Sequence, residues 1–161
     1  MSSQTSLRNT LRVLTLNLWQ RYGAWADRRS VLIDGIRAKQ PDLVAFAESI
    51  KTDEYDQTVD LLGEGFNVAY SKARDTNGMG ISIASRWPVE EVREVDLNVT
   101  SRTAGFPCTA LVARVAAPDP IGSLLFGTAL DIAACERIFD EPVNGIWASD
   151  HFGLVADLAH P

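Results

Sequence analysis

The order of hydrophobic patterns along the chain predicts an α/β domain. Two strand-then-helix units open it, and from residue 66 onward short apolar segments separated by turn residues point to an antiparallel or mixed continuation. Composition agrees, with 46% hydrophobic and 22% charged residues, which is ordinary globular usage and far from the weakly apolar, highly charged regime of disordered chains. At 161 residues one domain is expected, and a chain of this size buries roughly 70% of its unfolded surface.

Residues 1–10 are polar and read as a disordered tail ahead of a single domain over residues 11–161. In residues 11–18, Leu11, Val13 and Thr15 alternate with Arg12, Leu14 and Leu16, so both faces of this first strand carry apolar side chains, as inside a layered sheet. Asp27 is placed to cap a helix with Val31, Leu32 and Ile36 at near-helical spacing, and Gln40 before Pro41 marks its end. Residues 42–48 form a second buried strand. Thr52 opens a second helix with Tyr55, Val59 and Leu62 on one face, and Gly63 stops it. Further strands are expected at 66–70, 79–84, 91–98, 106–115, 121–126, 130–139 and 152–158. Asn77-Gly78 fits a tight hairpin turn, and Pro118-Asp119-Pro120 punctuates a loop.

Fifteen basic residues against 21 acidic ones give a net charge of -6. Such a chain repels a polyanion at long range, which disfavours general nucleic-acid binding, but a bound divalent cation would reverse the local field and attract a phosphate. Cys108 and Cys135 lack metal-site or disulfide spacing and read as small core residues. No apolar run approaches the ~20 residues that span a bilayer, and with no apolar leader a cytoplasmic location is the expectation.

Polar, metal-competent groups stand at the ends of otherwise apolar strands in three places: Asn17, Glu48 and the pair Asp150 and His151. A hard cation such as Mg²⁺ (or Mn²⁺) takes oxygen ligands and keeps several waters, so one or two carboxylates and an amide oxygen suffice. Glu48, Asp150 and Asn17 supply those, leaving His151 for proton transfer. Each residue alone has a plainer reading: Asn17 as a strand-end turn former, Glu48 as a solvated strand end, Asp150-His151 as a polar loop. A serine triad of Ser149, Asp150 and His151 fails on geometry, because adjacent residues on extended chain point to opposite faces.

In combination and order, four segments resemble the endonuclease/exonuclease/phosphatase (DNase I-like) superfamily. LRVLTLNLW (11–19) is similar to its first strand with the metal-site Asn, and QPDLVAFAES (40–49) to its second strand with the metal-binding Glu. NGMGISIASRWPV (77–89) resembles its hairpin strand ending in Ser-Arg-x-Pro, and ASDHFGLVADL (148–158) its terminal Ser-Asp-His segment. The resemblance implies a four-layered α/β sandwich and a Mg²⁺-dependent hydrolase of phosphodiesters or phosphomonoesters, acting on nucleic acid, a lipid head group or a small molecule. It assigns Asn17, Glu48 and Asp150 to the metal and His151, assisted by Asp150, to the scissile phosphate. Arg86 is a weaker candidate, since Ser85-Arg86 reads equally as a structural contact beneath the sheet.

The departures are also informative. Ala47 stands where the family commonly has a Gln before the Glu. Between Phe126 and Leu130, Gly127-Thr128-Ala129 replaces a His-containing segment, helices and a Gly-Asp-x-Asn-type strand. An internal deletion near residues 127–129 follows, which leaves the sandwich incomplete and removes the water-orienting Asp and its neighbouring Asn. The expectation is an impaired hydrolase with apolar surface exposed on strands 11–18 and 106–115, open to self-association. The alternative is a non-catalytic remnant or a partner-dependent interaction module.

Overall fold

The computed structural model describes residues 10–97, 109–118 and 131–159. In chain order these form β1 (Thr10–Asn17), α1 (Trp25–Lys39), β2 (Leu43–Ile50), α2 (Gln57–Leu62), β3 (Asn67–Tyr70), β4 (Met79–Ser85), β5 (Val89–Asp96), β6 (Thr109–Val115), β7 (Asp131–Ile138) and β8 (Gly153–Ala159). A six-stranded mixed sheet has the order β3-β4-β2-β1-β8-β7, and β5 and β6 pair as a separate two-stranded sheet. The predicted α/β class with an antiparallel continuation is therefore present: β1 and β2 run parallel, whereas β1–β8, β2–β4, β3–β4 and β7–β8 are antiparallel. The expected strand 121–126, Cys108, the junction at 127–129 and all but Thr10 of the tail lie outside the described residues. Thr10 itself opens β1.

One face of this sheet is sealed. Leu14, Leu16 and Leu18 from β1 and its end meet Val44 and Phe46 of β2, Ala84 of β4, Val155 of β8 and Ile138 of β7, and Leu32 and Ile36 of α1 with Leu61 of α2 close over them. Period-2 alternation along the strands and near-helical spacing in α1 bring these residues to one plane. Gly35 lets α1 approach the end of β7, since a Cβ there would collide with the Phe139 ring.

The opposite face is covered unevenly: Leu11 is 2% exposed, as the two-sided burial expected for residues 11–18 requires, but burial fails toward the strand end and the β7 edge. Thr15 is exposed, Leu154, its β8 partner, is 40% exposed, and Ile132 on β7 is 68% exposed. Cys135, expected in the core, is exposed on this edge strand. Among the described residues α1 and α2 pack on the sealed face, and β7 is the edge strand beside β8.

Both helix starts depart from expectation. Asp27 is not the cap of α1; it lies in the first turn, where a negative charge suits the helix dipole, and the helix begins after Ala24, which makes no side-chain cap. Gly23, at φ 65°, turns the chain there, and its carbonyl accepts from Trp25 N. Thr52 forms a local turn instead of opening α2, its Oγ accepting from Tyr55 N at 3.1 Å. The true cap is Asp56, whose carboxylate accepts from Val59 N at 3.0 Å. Gly63, at φ 77°, stops α2 as expected. Gly78, at φ 82°, turns the chain into β4, with its N–H bonded to the Asp75 carbonyl.

Candidate active site

The ends of β1 and β2 lie side by side because these strands are parallel, in register from Val13↔Leu43 to Asn17↔Ala47. Beyond Phe46 the pairing of β2 with β4 slips before resuming at Ser49↔Gly80. Glu48 sits in that bulge at φ 54°, a left-handed conformation that few non-glycine residues adopt and that re-aims its side chain. Its carboxylate meets Asn17, whose Nδ2 donates to Glu48 Oε1 at 3.0 Å. The same amide's oxygen accepts from Trp19 N at 2.8 Å, which fixes which end of the Asn faces Glu48. Asn17 and Glu48 line one cavity of about 240 Å³, together with Asp75, Gly80 and Thr109.

The second pair reaches the same strand end from the other side. β1 pairs with β8, and the segment before β8 returns past the end of β1, where buried Ser149 donates from Oγ to the Asn17 carbonyl at 2.7 Å. Asp150 Oδ1 lies 3.2 Å from that hydroxyl and 2.7 Å from His151 Nδ1. The His ring therefore presents Nε2 outward while the carboxylate orients it. Both Asp150 and His151 are exposed, and neither lines the Asn17–Glu48 cavity. The structure thus joins Asn17 to Glu48 directly, and joins Asp150-His151 to Asn17 through Ser149. Ser149, set aside as a nucleophile on sequence grounds, is a staple between these segments.

Buried and half-buried polar side chains brace this arrangement. Arg28, 3% exposed, donates to the carbonyls of Leu18, Tyr22 and Ala148. Arg74 donates to the Ser49 carbonyl at 2.9 Å, just after Glu48, and to the carbonyls of Gly78 and Ile81. Burial pushes both guanidinium groups below their usual pKa, countered in Arg28 by the charge of Asp150 and in Arg74 by Tyr70 and Asp56. Gln57, fully buried, accepts from Ile50 N and donates to the Gln20 carbonyl, so it ties β2 to the loop after β1. Sequence patterns gave no sign of these residues, because Arg and Gln on a helix or loop ordinarily read as solvated.

Arg86 belongs to the opposite end of the sheet. It donates to the Pro41 carbonyl at 2.8 Å and lies over the Phe66 ring, a structural contact.

Residues 14–121 match the Endonuclease/Exonuclease/phosphatase family. The chain belongs to this family. The matched stretch contains Asn17 and Glu48 and stops short of Ser149, Asp150 and His151. Among solved structures the endonuclease/exonuclease/phosphatase chain is similar to humanized D. rerio TDP2 (TM-score 0.70, 14% identity, covering 94% of this chain and 99% of that one). It is also similar to D. rerio TDP2 complexed with single strand DNA product (TM-score 0.66, 11% identity, 94% and 99% covered). A third is an endonuclease/exonuclease/phosphatase family protein from Leptotrichia buccalis C-1013-b (TM-score 0.62, 11% identity, 92% and 99% covered). At these identities the likeness is one of fold, and it supports the DNase I-like class. No curated protein matches the chain significantly. Among the described residues no helix is long and apolar enough to cross a membrane.

The donor set suits the divalent cation implied by the family. The Glu48 carboxylate is a hard ligand held at a strand end in a largely apolar opening that also holds Asp75, and Asn17 would turn its amide oxygen, now accepting from Trp19 N, to join it. Among the described residues no group of three or more His, Cys, Asp or Glu gathers, so an ion held here would keep most of its water shell, as Mg²⁺ ordinarily does.

Proposed function

We propose that this chain is a divalent-metal-dependent phosphoester hydrolase whose site is built from Asn17, Glu48, Asp150 and His151. The observation that carries this reading is the Asn17–Glu48 contact at 3.0 Å, formed in the family-matched stretch at a β-bulge where Glu48 takes a left-handed backbone. Glu48 and Asn17 would hold the ion, Mg²⁺ or Mn²⁺, with Asp150 as a further oxygen donor. When bound, such an ion polarises a phosphoryl oxygen and stabilises the leaving group. The chain's own part is to aim His151: Asp150 fixes the Nδ1 side, leaving Nε2 to hydrogen-bond a non-bridging phosphate oxygen and stabilise charge as it develops.

The turnover of this short form should be low. The proposed internal deletion near residues 127–129 removes the family's water-orienting Asp and neighbouring Asn, and loss of a positioned base typically costs ~10² to 10⁴ in rate. The substrate is a phosphoester, and the net charge of -6 argues against tight, sequence-independent nucleic-acid binding. One solved relative of the same fold holds a single strand DNA product, which makes a short single-stranded phosphodiester a sensible first probe.

A second reading, an interaction module that works through a partner or a second copy, is favoured by the open sheet face around Ile132 and Leu154. Calorimetry with Mn²⁺ on wild type and Glu48→Gln separates the two. We expect weak binding by wild type and at least ~10-fold loss in the variant, a carboxylate being the stronger ligand for a hard cation. Equal affinity in both proteins removes Glu48 from the site. Hydrolysis of bis-p-nitrophenyl phosphate, with His151→Ala as the control, then measures how much activity survives.

A further inference from the structure

We propose that Arg28 is the positioning residue that holds the Asn17 strand end and the Asp150–His151 segment in register with each other. The inference rests on the site reading above and extends it to a side chain that touches neither ion nor substrate.

The two halves of the candidate site are distant in sequence and share no direct side-chain contact among the bonds described; only Ser149 joins them, through the Asn17 carbonyl. Arg28 supplies the second tie. Its Nη2 donates to the Leu18 carbonyl at 2.5 Å, one residue past Asn17. Its Nε donates to the Ala148 carbonyl at 3.0 Å, two residues before Asp150. Its Nη1 donates to the Tyr22 carbonyl at 2.5 Å, closing the loop that leads from β1 into α1. A planar guanidinium can serve three carbonyls in three directions at once, which an ammonium on a flexible stem cannot.

The surroundings keep that fork in place. The guanidinium carbon stands 4.7 Å from the Trp19 ring centroid and 5.6 Å from that of Trp25, so aromatic faces replace water over a charge that is only 3% exposed. Gly23 makes room for Trp19, since a Cβ at Gly23 would lie 3.0 Å from its ring. Any buried Arg needs acceptors for its N–H groups, so the informative point is where they lie. Here all three acceptors belong to the two loops that carry the site, and none belongs to the body of α1 or to the sheet. The rigid element is α1, packed through Leu32 and Ile36 against the sheet, and Arg28 projects from its first turns to pin both loops to it.

The test follows amide hydrogen exchange in the full chain. Three amides with known partners report on the loops: Leu18 N on the Ala47 carbonyl, Trp19 N on Asn17 Oδ1, and His151 N on Ser149 Oγ. Ala116 N on the Pro88 carbonyl, at the β5–β6 sheet, and Gly63 N on the Val59 carbonyl, at the end of α2, are controls outside both loops. In Arg28→Ala we expect the three loop amides to exchange faster together, by about tenfold or more, with the controls unchanged. Millimolar guanidinium, refilling the vacated slot between the two Trp rings, should restore protection at both loops, and Mn²⁺ affinity should fall and recover with them. If Arg28→Ala does not fold, Arg28→Lys carries the test, since one ammonium reaches fewer carbonyls and the same amides should loosen by a smaller factor. Uniform acceleration that includes the controls, or loosening of one loop without the other, overturns the proposal. A lack of rescue by guanidinium does so as well. Glu48→Gln run alongside keeps the outcomes distinct: unchanged Mn²⁺ affinity there defeats the metal reading, whatever the Arg28 amides show.

Discussion

The two faces of the six-stranded sheet come from the same strands and part company toward the β8–β7 edge. Leu14, Phe46, Val155 and Ile138 vanish beneath α1 and α2, whereas Thr15, Leu154, Cys135 and Ile132 on the other side remain open. Neighbouring residues on one strand differ only in direction, so the contrast isolates what a covering layer contributes. Apolar area removed from water is worth about 25 cal/mol per Å², and among the described residues the face under α1 and α2 collects most of it. The covered face therefore carries the stability, and the open face is where a second layer, a partner or another copy has most to gain.

The sharpest way to break this comparison is to truncate the covered side. Phe46→Ala, at a residue 1% exposed in the centre of the sealed face, should cost about 3–5 kcal/mol, read as a large drop in the urea midpoint. A loss below ~1 kcal/mol would mean that the sealed face is not the core. Asp56→Ala comes next. It deletes the α2 cap to Val59 N and the acceptor of the Tyr70 hydroxyl at 2.5 Å, and the lost cap alone is worth ~1 kcal/mol.

The pH dependence of the same side offers a smaller effect. Hydrogen bonding from Arg29 holds the Asp60 carboxyl below its usual pKa, against desolvation that raises it and with help from Tyr55. A depressed folded pKa contributes stability above the unfolded value of about 3.9, and that contribution is lost as pH falls through the lower folded value. Asp60→Asn should therefore be less stable than wild type at neutral pH, with the gap closing below about pH 4. A gap that stays constant through that window would remove the ion pair with Arg29 as its cause.

The smallest effect on stability is expected on the open face. Ile132→Lys should shift stability by no more than ~0.5 kcal/mol, yet it should reduce self-association, measured by sedimentation velocity, and the binding of a hydrophobic dye. Unchanged association would detach the open face from any role as an interface.

How much of this was legible in the sequence follows the same division. Alternation in residues 11–18 and 42–48 located β1 and β2, and polar residues at their ends located Asn17 and Glu48, because a strand's period and its terminus are local properties. Burial was less legible. Cys135 was expected inside because it lacks metal-site or disulfide spacing, and nothing local reveals that it stands on an uncovered edge strand. Thr52 and Asp56 are both competent caps, and the choice was made by tertiary contacts: Asp56 also meets Tyr70 and Lys51. Arg28, Arg74 and Gln57 were invisible for a related reason. Their acceptors are backbone carbonyls, which every residue has, so no pattern of side chains announces them.

Glu48 shows how a site can be detached from its fold. Its left-handed backbone costs roughly 1–2 kcal/mol relative to glycine, while its hydrogen bond from Asn17 returns a similar amount, about 1.5–3 kcal/mol for a charged acceptor. Glu48→Gly should then leave the unfolding midpoint nearly unchanged while deleting the carboxylate. A cell's quality control, which senses unfolding and not chemistry, would pass such a chain without delay. Drift at this position would be silent to every assay of folding, and only a requirement placed on the carboxylate itself can keep it in place.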